Sequence, residues 1–151
     1  MKKEMQVAAL RNGTVIDHIP SEKLLRVVQL LGLEAVKDSC IMVGYNLESS
    51  VMGRKSIIKV SDHYFTDAEL GRLAVVAPNV TLCIIRDYEV VEKKKVVMPG
   101  ELRGIVRCPN PKCITNNEPM RTIFTLSAKD AHTLQCHYCE KEVNLEEVKF
   151  V

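Results

Sequence analysis

The chain has 151 residues, 46% of them apolar, with no Trp and only four Tyr and three Phe, so any core must be aliphatic and fill one domain or two small ones. The formal charge of +2 divides as 14 basic and 12 acidic residues over 1–98 and seven of each over 99–151, too even for a nucleic-acid-binding surface. No apolar run reaches the ~18 residues of a membrane span. The start, Met1-Lys2-Lys3-Glu4, leads into alternating residues rather than the apolar stretch of a secretory signal. These features fit a cytoplasmic chain with reduced cysteines and neither a membrane nor a nucleic-acid partner.

In chain order, residues 4–11 alternate and suit a strand, Asn12-Gly13 signals a turn, and Thr14–Ile19 is β-rich. Pro20-Ser21 opens a helix in which Leu24, Leu25, Val27, Val28 and Leu31 recur at helical spacing, with Gly32 as its stop. Cys40–Leu47 and Lys55–Val60 read as strands joined by a loop containing Ser49-Ser50 and Gly53. Thr66-Asp-Ala-Glu69 is a capping box that starts a second helix. Its Leu70, Leu73, Ala74 and Ala77 face inward, and Pro78 ends it. Thr81–Ile85 and Tyr88–Val91 are again β-rich.

The order βαββαβ is the ferredoxin-like pattern. Such a sheet carries two helices on one face and leaves the other free for a ligand or another subunit. Lys93-Lys94-Lys95, expected to follow the last strand, and Pro99-Gly100 mark a change in composition. Residues 1–98 are therefore read as one domain and 99–151 as a second. In the second, Arg103–Arg107, Thr122–Leu126, His132–Cys136 and Val143–Val148 suit short strands. The expected class is α+β, a ferredoxin-like βαββαβ domain followed by a small all-β zinc-binding domain.

The zinc assignment rests on Cys108-Pro-Asn-Pro-Lys-Cys113 and Cys136-His-Tyr-Cys139, a C-x4-C and a C-x2-C pair separated by 22 residues. Two short-spaced thiol pairs can close four sulfurs around one Zn²⁺ and leave no open position for catalysis. A framework of two disulfides in a secreted protein is the rival reading, disfavoured by the lack of a signal. His137, inside the second turn, is read as an exposed loop residue. Cys40 and Cys83, in apolar stretches, are read as core residues.

No phosphate-binding G-x-x-x-x-G-K-[ST] or G-x-G-x-x-G motif is present, and no nucleophile stands beside any of the four histidines. Asp17 and His18, as neighbours on a strand, are expected to point to opposite faces and not to orient one another. On the third strand Ile57 and Lys59 share a face, and on the next Cys83 and Ile85 do. An apolar face edged by lysines could hold a base while the lysines meet phosphates, although a solvated charge run is the plainer reading.

The stretches Thr14-Val-Ile-Asp-His-Ile-Pro20, Met52-Gly-Arg-Lys55 with Ile58-Lys59, Ala77-Pro78, Tyr88-Glu-Val-Val91, Cys108-Pro-Asn110 with Cys113-Ile114, and Tyr138-Cys-Glu-Lys141 together resemble the regulatory chains of aspartate carbamoyltransferase. The resemblance runs in order over nearly the whole chain. It implies a non-catalytic subunit whose N-terminal domain binds CTP or ATP, with UTP acting beside CTP, and pairs two regulatory chains. It also implies a zinc domain that docks on the catalytic chain, three regulatory dimers joining two catalytic trimers under end-product control of pyrimidine synthesis.

Carried over by position, the resemblance places Lys93 on the triphosphate, Lys59 on the ribose and phosphate region and Asp17 on the ribose side. Val7, Ala9, Val15, His18, Ile57, Ile85, Tyr88 and Val90 would line the pocket, and backbone groups near Leu10, Ile85 and Tyr88 would read the base edge. Asn110, Lys112, Glu140 and Lys141 would touch the catalytic chain. Cys83 and Ala8 depart from the family's amide and acid, and Lys112 replaces an uncharged polar residue. Two readings of other classes remain: a zinc-ribbon nucleic-acid binder, which a gel-shift would detect, and a small enzyme using Asp17, His18 and the lysines, which would turn over without a partner.

Overall fold

The computed structural model describes residues 9–151, so most of the strand expected over 4–11, and Val7 and Ala8 with it, lies outside the described residues; residues 9–11 carry no strand. The chain divides between Val97 and Met98 into two compact units.

The first unit runs β1 (Gly13–Ile19), α1 (Leu24–Leu30), β2 (Ile41–Ser49), β3 (Gly53–Ser61), α2 (Asp67–Val76), β4 (Thr81–Arg86) and β5 (Glu89–Lys95). The sheet order is β2-β3-β1-β4-β5 with every neighbouring pair antiparallel. The first four strands have the ferredoxin-like arrangement, and β5 is added to the edge by a hairpin from β4. The lysine run differs from expectation. Lys93–Lys95 do not follow the last strand but form the end of β5, paired along Cys83, Leu82 and Thr81.

Helix α1 buries Leu24 and Val27, and Gly32 stands at φ 62° just past it. Leu25, one of the residues recurring at helical spacing, is 74% exposed, because the apolar stripe is set by the i, i+3, i+7 series Leu24, Val27 and Leu31. The capping box of α2 forms in full: Thr66 Oγ1 accepts the Glu69 N–H at 3.2 Å and Glu69 Oε1 accepts the Thr66 N–H at 3.1 Å. Leu73, Ala74 and Ala77 are buried as expected, and Leu70 is half-buried.

Residues opposed across an antiparallel pair share a face, so the register sorts the sheet into two sides. Ser56, Ile58 and Val60 of β3 lie with Ile16 of β1 and Leu82 of β4, all buried. The hydroxyl of Ser21, in the turn leading into α1, meets that of Ser56 at 3.1 Å, which puts the helices on this side. Val15, Ile57, Lys59 and Cys83 occupy the opposite side. Of the two cysteines expected in the core, Cys83 is half-buried and Cys40 is exposed, because Cys40 precedes the first paired residue of β2.

The second unit comprises β6 (Glu101–Arg103), β7 (Val106–Arg107), α3 (Ile114–Asn117), β8 (Ile123–Leu126), β9 (Thr133–Cys136), β10 (Glu142–Asn144) and β11 (Lys149–Phe150). It holds a four-stranded sheet, β10-β9-β8-β6, and a two-stranded ribbon, β11-β7. Phe124, Leu134, Leu102 and Val106 form its small buried interior. The segment 103–107 is not one strand but two pieces, broken at Gly104 with φ 66°. Residues 143–148 likewise split into the end of β10 and a single 3-10 turn.

Candidate functional site

The four paired cysteines converge. Their Sγ atoms all lie within 4.8 Å of one another, with Cys108 and Cys139 at 3.6 Å and Cys113 and Cys136 at 3.8 Å. A tetrahedral ion with bonds of about 2.3 Å to sulfur sets its ligands roughly 3.8 Å apart, so the cluster fits one metal ion. The separations are far beyond a disulfide bond of about 2.04 Å. Burial pushes the Cys108 thiol up to about 12 and raises Cys136 as well. Burial also works against the Cys139 thiolate, but hydrogen bonds from the Lys141 N–H, the Asn110 side chain and Cys108 bring it down to about 7. A cation would stabilise all four thiolates at once.

Local hydrogen bonds shape both turns. The Asn110 carbonyl accepts the Cys113 N–H at 3.0 Å and its Oδ1 accepts the Lys112 N–H at 3.0 Å. Asn116 Nδ2 donates to the carbonyls of Cys108 and Asn110, and Asn117 Nδ2 to those of Pro111 and Cys113. These four bonds explain α3, a single turn that the apolar pattern gave no reason to expect: two adjacent amides tie it to the C-x4-C loop. Thr115 Oγ1 reaches Cys113 Sγ at 3.2 Å, a partner beyond the four sulfurs. The second turn closes with Glu140 at φ 63°, its N–H on the Cys136 carbonyl at 3.0 Å. Lys112, Glu140 and Lys141 are exposed around these turns, Asn110 is half-buried among them, and His137 is exposed and apart from the sulfur cluster.

In the first unit the register sets Met42, Lys59, Val15, Cys83 and Lys93 in one row across all five strands. At roughly 4.8 Å per strand, Lys59 and Lys93 stand about 14 Å apart at their backbones. Beside this row runs another, Asp17, Thr81 and Lys95. Leu10, Val15, Ile57 and Ile85 bury one another, with Met42, Leu47 and Cys83 packed against them. This face therefore has an apolar centre with one lysine well inside the sheet and two on its edge strand. Burial holds the Lys59 ammonium below its ordinary value, against the pull of Asp17. Burial likewise raises the Cys83 thiol, with Lys93 opposing.

Asp17 and His18 are closer than strand alternation allows. A bulge lies between Ile16 and Ile19, His18 adopts φ 60°, its N–H donates to Asp17 Oδ1 at 2.6 Å, and its Nδ1 lies 3.7 Å from the same oxygen. That oxygen also takes Lys55 Nζ at 2.9 Å, a contact not foreseen from the sequence. His18 lines a cavity of about 410 Å³ with Met52, Thr81 and Lys95. Thr81 and Lys95 were missed because only the β1–β4 and β4–β5 registers bring them beside Asp17. Ala9, Tyr88 and Val90 are exposed, and Tyr88, at φ 66°, gives its N–H to the Arg11 carbonyl at 2.9 Å.

No helix among the described residues is long and apolar enough to cross a membrane. Residues 5–97 match the model of the aspartate carbamoyltransferase regulatory chain, allosteric domain, and residues 100–149 that of the metal binding domain of the same chain. A regulatory chain of that enzyme from Phocaeicola vulgatus is 64% identical over 150 residues, covering 99% of this chain and 96% of the relative. One from Bacteroides thetaiotaomicron is 63% identical over 147 residues, 97% and 95% of the two chains. One from Thermococcus gammatolerans is 41% identical over 145 residues, 96% of each.

Proposed function

The chain belongs to the family of aspartate carbamoyltransferase regulatory chains, non-catalytic subunits with an allosteric and a metal-binding domain, and from that premise we propose which nucleotide and which metal its two domains take. Residues 1–98 form the effector domain and bind a nucleoside triphosphate, CTP or ATP, with UTP able to act beside CTP. The observation that carries this reading is the row Met42, Lys59, Val15, Cys83, Lys93. The apolar cluster of Leu10, Val15, Ile57 and Ile85 supplies a dry bed for base and ribose. Lys93 at the edge meets the triphosphate, and Lys59 the ribose and phosphate region.

Asp17 serves the ribose side. Its carboxylate is held in place by Lys55 and by the His18 N–H, so a ribose hydroxyl would meet an acceptor already oriented. Val7, Ala9, His18, Tyr88 and Val90 complete the lining. The Tyr88 N–H is engaged with the Arg11 carbonyl, so the proposed reading of the base at Tyr88 falls to its carbonyl.

Residues 99–151 hold one structural Zn²⁺ through Cys108, Cys113, Cys136 and Cys139. The ion supplies cross-linking and charge neutralisation and no catalysis. Asn110, Lys112, Glu140 and Lys141, gathered around the cysteine turns, dock on the catalytic chain. The chain pairs with a second copy, and three such dimers join two catalytic trimers in the cytoplasm. There CTP binding gives feedback on pyrimidine synthesis. A nucleotide shifts the enzyme only through its differential affinity for two quaternary states, a coupling of typically ~1–3 kcal/mol.

The test is a calorimetric titration of zinc-loaded protein with CTP, with GTP as comparison. Saturable CTP binding with much weaker GTP binding is expected, and loss of CTP binding in Lys93→Ala with zinc content unchanged. Equal CTP affinity in that variant would overturn the pocket assignment.

A further inference from the structure

The metal-binding unit carries a cavity that the proposed zinc and docking roles leave unused. It has a volume of about 580 Å³ and opens between β7, the turn after α3 and β11. Arg107 and Arg121 line it, with Pro119, Met120 and Phe150 as apolar wall. Val151, which carries the terminal carboxyl, also lines it, while no acidic side chain does and neither arginine has an ion-pair partner among the described residues. The neighbouring cavity, which shares Arg107, does contain an acidic side chain, Glu147.

The polar groups divide into those already engaged and those held ready. Thr115 is bonded to Cys113 Sγ, and Asn116 to the Cys108 and Asn110 carbonyls. Thr122 is different: it lines the cavity, is only 5% exposed, and its Oγ1 has no hydrogen-bond partner. A buried hydroxyl left unpaired is unfavourable, and an acceptor arriving from the cavity beside it is one remedy. Gly104, at φ 66°, lets the chain turn out of β6 and leaves room for Arg121, whose Nε lies 3.5 Å from where a Cβ would sit.

We propose that this cavity is a binding site for an oxyanion, a phosphate or carboxylate group borne on a small apolar body. Two guanidinium groups are suited to a planar or tetrahedral oxyanion, each able to offer paired N–H donors. The Thr122 hydroxyl, sealed behind the wall, becomes a third donor only when the wall shifts to admit the anion, and Met120 and Phe150 meet the apolar part. The anion comes either from a free small molecule or from an acidic side chain of the catalytic chain. Because Thr115 and Asn116 belong both to this wall and to the metal turns, occupancy is felt at Cys113. This inference does not depend on the nucleotide assignment.

The experiment uses the full metal-loaded chain with isotope-labelled arginine. Phenyl phosphate and inorganic phosphate are titrated while the Arg107 and Arg121 Nε–H signals are followed. Both signals should shift saturably, phenyl phosphate should bind several-fold more tightly than inorganic phosphate, and Arg121→Gln should weaken it at least about tenfold. Thr122→Val, which keeps side-chain shape, should weaken it several-fold with metal content unchanged. Loss of phenyl phosphate binding once catalytic chains are bound would assign the natural anion to the partner's side chain; retained binding would assign it to a free molecule. Unmoved arginine signals with both probes, or equal affinity in Arg121→Gln and Thr122→Val, would overturn the site.

Discussion

The two units solve the same problem, holding an antiparallel sheet together, by different physics. The first buries a broad aliphatic layer: Ile16, Ile19, Ile58, Leu73, Leu82, Val27 and Val60 are all sealed from solvent beneath two helices. The second seals a smaller set, Phe124, Leu134, Leu102 and Val106, and places four sulfurs where further core would otherwise be needed. A unit of that size rarely stabilises itself by apolar burial alone. The difference shows why coordination chemistry is confined to one unit. The first unit fills the helix side of its sheet with apolar side chains, which leaves the face proposed for the nucleotide open to another use.

The sharpest way to break this comparison is at the metal. Cys113→Ala should release the ion and unfold residues 98–151, since structural zinc contributes on the order of 10–16 kcal/mol in small metal-dependent folds. Hydrogen exchange should show the β1–β5 amides still protected; loss of protection in both units would mean that they do not fold separately. Leu73→Ala strikes the other unit and should cost ~2–5 kcal/mol there, as a cavity in a close-packed interior, with zinc content intact. Thermal unfolding combined with metal analysis separates the two cases.

Smaller effects concern the ligand face. Lys93→Ala should weaken CTP binding by roughly 1.5–3 kcal/mol, the range for a hydrogen bond to a charged group, without moving the melting transition. The pH dependence is gentler. Desolvation keeps the free Lys59 ammonium below its ordinary 10.5, and a bound phosphate raises it again. The complex therefore holds that proton to higher pH than the free protein does. Affinity is complete below the free-state value and declines as pH rises through it. Calorimetry over an alkaline series should show the decline, and Lys59→Arg, which stays charged, should abolish it.

Legibility differed between the units for physical reasons. The capping box at Thr66, the βαββ run and the cysteine spacing are local signals, so α2, the order of elements along the chain and the sulfur cluster could all be read from short stretches. Lys93–Lys95 could not: a charge run resembles a solvated linker, and only pairing with β4 makes it strand. The Asp17–His18 contact was misjudged because a bulge overrides alternation, and nothing in Asp-His-Ile-Pro announces one. Helix α3 depends on two asparagine amides bonding to a loop, and Arg107 and Arg121 meet at one cavity only through the fold. Neither leaves a periodic trace.

Strand β5 has one more consequence. It is the outermost strand, exposed along its whole length, with Val90 and Val91 open to water. A bare β-edge of this kind invites strands from other molecules, and consecutive lysines are a standard deterrent because like edges repel. The run that contains Lys93, the lysine proposed to meet a triphosphate, thus also guards against aggregation. A ligand that neutralises that lysine removes part of that guard, and a variant lacking all three lysines would exchange a binding defect for an insoluble protein. The single substitution at Lys93 leaves two of the three in place.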